Sequence, residues 1–513
     1  MKRWSVAVLD LVVGLVLATA AGAAPDRVRI HDGALQGAVK DGVASFKDIP
    51  FAAPPVGALR WRAPQRPAPW TGVRDATDYG PACLQMTTFL VRPGVKLSED
   101  CLTINVFTPA HRRGANLPVM VWIYGGAFIG GSANNYDGTR FAQDGVVLVT
   151  FNYRLGRLGF FAHPALANTN PEGALSDYGF ADQIAALKWV RSNIAAFGGE
   201  PHKVTVFGES AGAISVNFLM VSPKARGLFA RAASESGFGR TQAHALGDAE
   251  ATGAAFMKGL GVTGDDAAAA KALRALPADA VMAPVKGLGD PGTGPIVDGV
   301  VAVETPGDGF ARGHQARVPY LAGGNSFEAS LFPNVVSNPG EVLDRLGAGK
   351  GAAVTLYGDG DPAKAAAALT TLRTVIEPNR YLARENARRG IPTYVYYFSY
   401  VPAAERATAK GVRHGGEIGY VFDTLPKTDV TFGTYHASAA TPADEVIARA
   451  AHAYWVGFGK TGHPGLAGGP HWPRAEPSDA VMEFGDDGPV ARPHFDAAKL
   501  DPIAAMAAKT APR

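Results

Sequence analysis

Short, predominantly apolar runs recur along this chain, and each ends in glycine or in a polar loop. Residues 119–124 stop at Gly125-Gly126, 146–151 follow, 204–207 stop at Gly208, and 318–322 and 393–398 come later. A helical pattern from about 182 to 194 separates the second run from the third. Successive side chains of a strand point to opposite faces, so a run that is apolar throughout must be covered on both sides. Strands of this kind alternating with helices predict an α/β protein, a mostly parallel central sheet with helices on both faces. Such sheets bind ligands beyond the carboxyl ends of their strands. The residues just after each run are therefore the candidates for chemistry. The Ala-rich patches at 267–270 and 365–368 read as surface helices.

Charge excludes one class of partner. Lys+Arg total 49 against 46 Asp+Glu, with no cluster of basic residues, so no nucleic-acid footprint is present. At the N-terminus, Lys2 and Arg3 precede a mostly apolar stretch over 6–17, and Ala21-Gly22-Ala23 offers small residues to a signal peptidase. That stretch is too short to span a bilayer, and Asp10 interrupts it. The expectation is a signal peptide over 1–23, then one domain over 24–513, exported to the periplasm or secreted and without a stable membrane anchor. The cysteines agree with an oxidising destination: Cys83 and Cys101 are the only two, an even count that favours a bridge. The twelve histidines are scattered with no HExxH or CxxC pattern, so neither a metal nor another cofactor is implied.

Directly after 204–207 stands Gly208-Glu209-Ser210-Ala211-Gly212, followed by an apolar, helix-compatible segment. A serine on a sharp strand-to-helix turn projects its hydroxyl above the sheet, at a helix N-terminus whose N–H groups favour an anion. Ser210 is the candidate nucleophile. Donors for an oxyanion would come from the backbone N–H groups of Gly126 and Ala127, after the first run, and of Ala211. A base and an orienting carboxylate must follow in the chain. Glu328 lies in the loop after 318–322 and His414 in the loop after 393–398, so this pair fits by position. Rival histidines remain: His452 in an apolar helical run reads as structural, and His463, His471 and His494 lie in Pro/Gly-rich loops.

With these residues in place, the sequence resembles the type-B carboxylesterase/lipase family, to which para-nitrobenzyl esterases, carboxylesterases and cholinesterases belong. The resemblance spans about 28–473. It rests on Phe46 to Gly57, on Glu99-Asp100-Cys101-Leu102, on Phe197-Gly198-Gly199 leading into Gly208–Gly212 by way of 204–207, on Gly324-Asn325 before Glu328, and on His414 with Glu417. It implies an α/β-hydrolase fold with a gorge above the nucleophile, a triad of Ser210, Glu328 and His414, and Cys83–Cys101 as the family's first disulfide. It also implies that Glu209, Ser236 and Glu417 support the histidine. By the same resemblance the bridged loop lies at the gorge rim, so losing the bridge should change KM more than kcat. Cholinesterases place a tryptophan in that loop to stack on a quaternary ammonium. Residues 84–100 hold no tryptophan, and Phe89 is their only aromatic, so a choline ester is not expected. The implied activity is hydrolysis of a small-molecule carboxylic ester through an acyl-enzyme. Two other readings stay open: an amidase or peptidase using the same residues, and a binding protein that kept the fold.

Overall fold

The computed structural model describes residues 26–86, 90–109, 115–283, 294–427, 430–432 and 435–510. The expected signal peptide over 1–23, and Phe89, lie outside them. Among the described residues, eleven strands form the main sheet. In chain order they are β1 (Ala38–Lys40), β2 (Val43–Pro50), β3 (Thr103–Thr108), β4 (Leu117–Ile123), β5 (Val147–Phe151) and β6 (Gly199–Glu209). After these come β7 (Arg231–Glu235), β8 (Tyr320–Asn325), β9 (Thr393–Phe398), β10 (Val481–Gly485) and β11 (Gly488–Arg492). Their order across the sheet is β11-β10-β9-β8-β7-β6-β4-β5-β3-β2-β1. From β10 through to β5 every neighbour is parallel, and the pairs at the two ends are antiparallel. This is the mostly parallel sheet of an α/β-hydrolase.

Each apolar run read from the sequence is a strand of this sheet, within a few residues at its ends. The register matters more than the boundaries. Gly208 pairs with Ile123, Glu209 with Glu235, Glu235 with Gly323, and Asn325 with Phe398. The carboxyl ends of β4, β6, β7, β8 and β9 are thereby level, and the loops that leave them share one edge of the sheet.

Helices cover both faces. Thr205 in β6 donates its hydroxyl to Gly459 O at 3.4 Å in helix α4 (Pro442–Thr461). Val204, one residue earlier, points the other way, toward helices α1 (Tyr178–Asn193) and α2 (Ala211–Val221). Helix α3 (Glu377–Ala387) packs on β8 and β9. A core cluster runs from Val28 to Phe484, with Trp122 and Trp455 fully buried in it. Burying side chains of this size contributes about 1.5–3 kcal/mol each.

The Ala-rich patches are helices, as expected, but the second is not a surface one. Ala365 and Ala366 of Pro362–Thr371 are fully buried, in a second cluster with Val375, Leu500 and Ile503. A methyl side chain on a helix face lets a neighbouring helix approach closely, and composition does not distinguish that use from mere helix propensity. No helix among the described residues is long and apolar enough to cross a membrane.

Candidate active site

The turn at Ser210 follows from its glycines. A Cβ on Gly208 would lie 2.5 Å from Ile123 O, and one on Gly212 would lie 1.9 Å from it. Only hydrogen at both positions lets β6 and the start of α2 approach β4 this closely. Ser210 is held at φ 55°, ψ −125°, a conformation that costs on the order of 1–3 kcal/mol away from glycine. Its N–H donates to Glu235 O at 2.9 Å, which anchors the turn to β7.

The loop after β4 is shaped by the same crowding. Gly125 lies against the nucleophile turn, and a Cβ there would come within 2.8 Å of the Ser210 Cβ. Gly126, Ala127 and Phe128 all have positive φ, at 123°, 54° and 63°. The loop closes on itself through Ile129 N and Gly130 N, which donate to Gly126 O at 3.0 and 3.1 Å. Gly126, Ala127, Ser210, Ala211, Glu209 and His414 line one cavity of about 760 Å³.

Cys83 and Cys101 are disulfide-bonded and buried. The chain just past Cys83 grips the glycine loop: Gln85 exchanges two hydrogen bonds with the Gly131 backbone at 2.9 and 3.1 Å, and Met86 N donates to Ile129 O at 3.0 Å. The segment that follows Cys83 is thus tied to the loop that carries Gly126 and Ala127, a contact that the gorge-rim position implied by the resemblance does not include.

Glu328 and His414 meet although they are 86 positions apart: His414 Nδ1 stands 2.5 Å from Glu328 Oε2. The other oxygen, Oε1, accepts from the Ser236 hydroxyl at 2.6 Å and from Asn325 N at 2.7 Å. Glu328 is fully buried, so the carboxylate is oriented from both sides. Glu417 does not reach the imidazole. Its Oε2 accepts from Asn325 Nδ2 at 2.5 Å, and its Oε1 from the Tyr396 hydroxyl at 3.3 Å and Ser236 at 3.5 Å. Glu209 Oε1 lies 3.0 Å from His414 Nε2, close enough for an ion pair but without hydrogen-bond alignment. His452 is buried, with Nδ1 2.8 Å from Val421 O, and is structural as expected. His463 pairs with the Tyr394 hydroxyl at 2.5 Å and does not line the cavity.

Charge is concentrated around the imidazole. Burial alone would depress the His414 pKa, but the carboxylates of Glu209, Glu328 and Glu417 outweigh it and push it up to about 10. Burial raises Glu209 to about 8, opposed by His414 and reinforced by Glu417 and Glu328. Glu417 rises to about 7 by burial, with Glu328 adding to the effect. Sequence reasoning missed two members of this group. Asn325, the last residue of β8, bridges Glu328 and Glu417. Glu235, at the end of β7, is a buried carboxyl whose pKa is raised well above normal by burial, and it accepts from Trp455 Nε1 at 2.7 Å. An acid at a strand end beside Ser236 was the available signal. Among the described residues no cluster of His, Cys, Asp or Glu is arranged to hold a metal ion.

Comparison with known proteins decides the family. The model described as "Carboxylesterase family" matches residues 24–345 and 359–499. The chain belongs to the carboxylesterase family. It is 38% identical to fumonisin B1 esterase of Sphingopyxis macrogoltabida over 471 residues, covering 89% of this chain and 85% of that one. Human (Homo sapiens) cocaine esterase is 35% identical over 491 residues, 86% of this chain and 84% of the relative. A solved PNB esterase superposes with a TM-score of 0.77 at 30% identity, covering 93% of this chain and all (100%) of that one. This carboxylesterase is accordingly an enzyme that hydrolyses carboxylic esters, with small-molecule esters as its substrates. The disulfide is consistent with export.

Proposed function

We propose that the protein is a serine carboxylesterase in which Ser210 is the nucleophile, His414 the general base and acid, and Glu328 the orienting carboxylate. The observation that carries the reading is the 2.5 Å contact of His414 Nδ1 with a buried Glu328, on an imidazole that opens into the cavity lined by Ser210. His414 takes the proton as Ser210 Oγ attacks the ester carbonyl, then gives it to the departing alkoxide, which leaves as the alcohol. Water repeats the sequence on the acyl-enzyme and releases the acid. The N–H groups of Gly126, Ala127 and Ala211 hold the oxyanion of each tetrahedral intermediate. Fixing donors in advance is the use of a strained loop: nothing has to reorganise when the charge appears. Glu209, Ser236 and Glu417 support the imidazole and its carboxylate, through the contacts given above. The chain acts as one catalytic domain over 24–513, exported to the periplasm or beyond after cleavage of 1–23.

The test is active-site labelling with an organophosphonate, followed by peptide mapping, together with Ser210→Ala. Stoichiometric label on Ser210 and loss of turnover in the variant are expected. Label elsewhere, or a Ser210→Ala enzyme that still turns over, refutes the assignment.

A further inference from the structure

The cavity above Ser210 is not uniformly apolar. Leu90, Phe128, Ile129 and Ile214 line its body, yet Arg240 and Arg373 enter the same lining. Among the described residues the sole lining carboxylate is Glu209, which is buried and engaged with His414. Among the described residues no lining acid is therefore free to neutralise the arginines.

The two guanidiniums are held differently. Arg240 donates from Nε and Nη2 to Glu377 at 3.0 and 2.8 Å, and it stacks over the Tyr381 ring at 3.6 Å. Its charge is already matched. Arg373 is exposed, and among the described residues it has neither an ion-pair partner nor a hydrogen bond. It stands in a π-helical turn, Leu372–Ile376, set between the helix Pro362–Thr371 and α3. A π-turn inserts one residue into the helical repeat and re-aims side chains, and it recurs at functional sites because its hydrogen bonding is otherwise inferior. Here Leu372, Val375 and Ile376 stay buried while Arg373 and Thr374 are turned into the cavity lining.

We propose that this site takes esters that bear a carboxylate group, with Arg373 as the cation that receives it. The inference rests on the serine-esterase reading and deepens it. A guanidinium offers paired donors in a planar fork that matches a carboxylate, and of the two arginines in the described lining Arg373 is the one whose donors are uncommitted. The apolar body of the cavity then holds the hydrocarbon part of the same substrate. A neutral ester of equal length would use that body and leave the arginine idle.

The experiment compares para-nitrophenyl half-esters of adipic and suberic acid with para-nitrophenyl hexanoate and octanoate, using purified full-length enzyme. The readout is the ratio of kcat/KM for the charged ester to that for the neutral one. In Arg373→Gln this ratio should fall roughly ten-fold to a hundred-fold, the worth of a hydrogen bond to a charged group, with the loss mainly in KM. Arg373→Lys should recover part of it, since the charge returns without the fork. Arg388→Gln, at an exposed arginine paired with Glu385 outside the lining, should leave the ratio as it was. Added salt should lower the wild-type ratio, because an exposed cation is screened. A ratio unchanged by Arg373→Gln, with neutral esters still hydrolysed, overturns the inference and leaves the esterase reading standing. Absence of turnover on every ester, together with no label on Ser210, overturns the reading beneath it and the inference with it.

Discussion

Replacing Glu328 by glutamine keeps volume and shape and removes one charge, so its consequence can be worked atom by atom. Glu328 Oε2 faces His414 Nδ1 at 2.5 Å, and Oε1 faces Asn325 N at 2.7 Å and the Ser236 hydroxyl at 2.6 Å. The new amide has one acceptor for these two sides. If its oxygen stays with Asn325 N, its NH2 points at Nδ1. The imidazole must then carry its proton on Nε2 and cannot accept one from Ser210. If the amide turns over, its NH2 meets the Asn325 N–H and a buried donor is stranded, which costs about 1–3 kcal/mol. The first arrangement traps the base in the wrong tautomer, and an equivalent loss of charge in a serine protease lowers kcat about 10⁴-fold. The same is expected here, roughly 10³–10⁴ in kcat, or about 4–5.5 kcal/mol of transition-state stabilisation. Turnover of an aryl ester measures it, with circular dichroism and thermal melting to show that the fold persists. Glu417→Gln should cost far less, because Glu417 touches Asn325, Tyr396 and Ser236 but not the imidazole. Equal losses, or a larger one at Glu417, would mean that the wrong carboxylate has been assigned.

Glu209→Gln removes the carboxylate beside Nε2 that raises the His414 pKa. Activity needs a neutral imidazole, so the acidic limb of kcat/KM against pH should move down by about one unit, and a limb that stays or moves up refutes this role. Gly126→Ala would place a Cβ 2.1 Å from Gly130 O at φ 123°, so the loop must shift. A kcat loss of order 10²-fold, typical of one lost oxyanion donor, is expected with KM little changed. Cys83→Ser with Cys101→Ser should lower stability by about 3 kcal/mol in denaturant titration. Because Gln85 and Met86 grip the glycine loop, kcat should fall as KM rises, and a change in KM alone would mean that the bridge serves only the rim.

Much of this architecture is legible in the sequence because its signals are local. A buried parallel strand is apolar at nearly every position, and the runs at 119–124, 204–207 and 393–398 say so without tertiary help. The serine turn is legible for the same reason: Gly208 and Gly212 are required by backbone contacts that no side chain could survive. Glu328 and His414 each follow an apolar run in the sequence, and the level register of β6 to β9 brings the loops that carry them to one edge of the sheet. The failures are tertiary. Helix α1 starts at Tyr178, ahead of the expected 182, because its first turn is buried all round and carries no polar face to mark a period. The polar start of β6, Gly199 to Lys203, has no strand character of its own and pairs only because Leu117 lies opposite Gly199. Arg373 sits in a helical pattern, and nothing in the sequence announces that a π-turn aims it at the cavity.

The positive-φ residues tie these levels together. Ala127, Phe128, Ser210, Ser236 and Phe238 all lie at φ between 46° and 63°, and all are at the cavity or bonded to Glu328. Each is disfavoured where it stands, by roughly 1–3 kcal/mol, so together they cost a sum comparable to the whole stability of a domain. Such a cluster persists only where the surroundings over-determine it, and here they do. The Ser210 N–H is fixed to β7 through Glu235 O, the Ser236 N–H to β8 through Gly323 O, and the glycine loop to the disulfide segment through Gln85. Fully buried strands hold those anchors. Relaxing one strained residue should therefore stabilise the protein only if its anchor is released as well, and the same release would loosen the aim of the nucleophile or its donors. The large apolar sheet is in this sense part of the catalytic apparatus: it supplies the rigidity against which five unfavourable backbone conformations are held level at one edge.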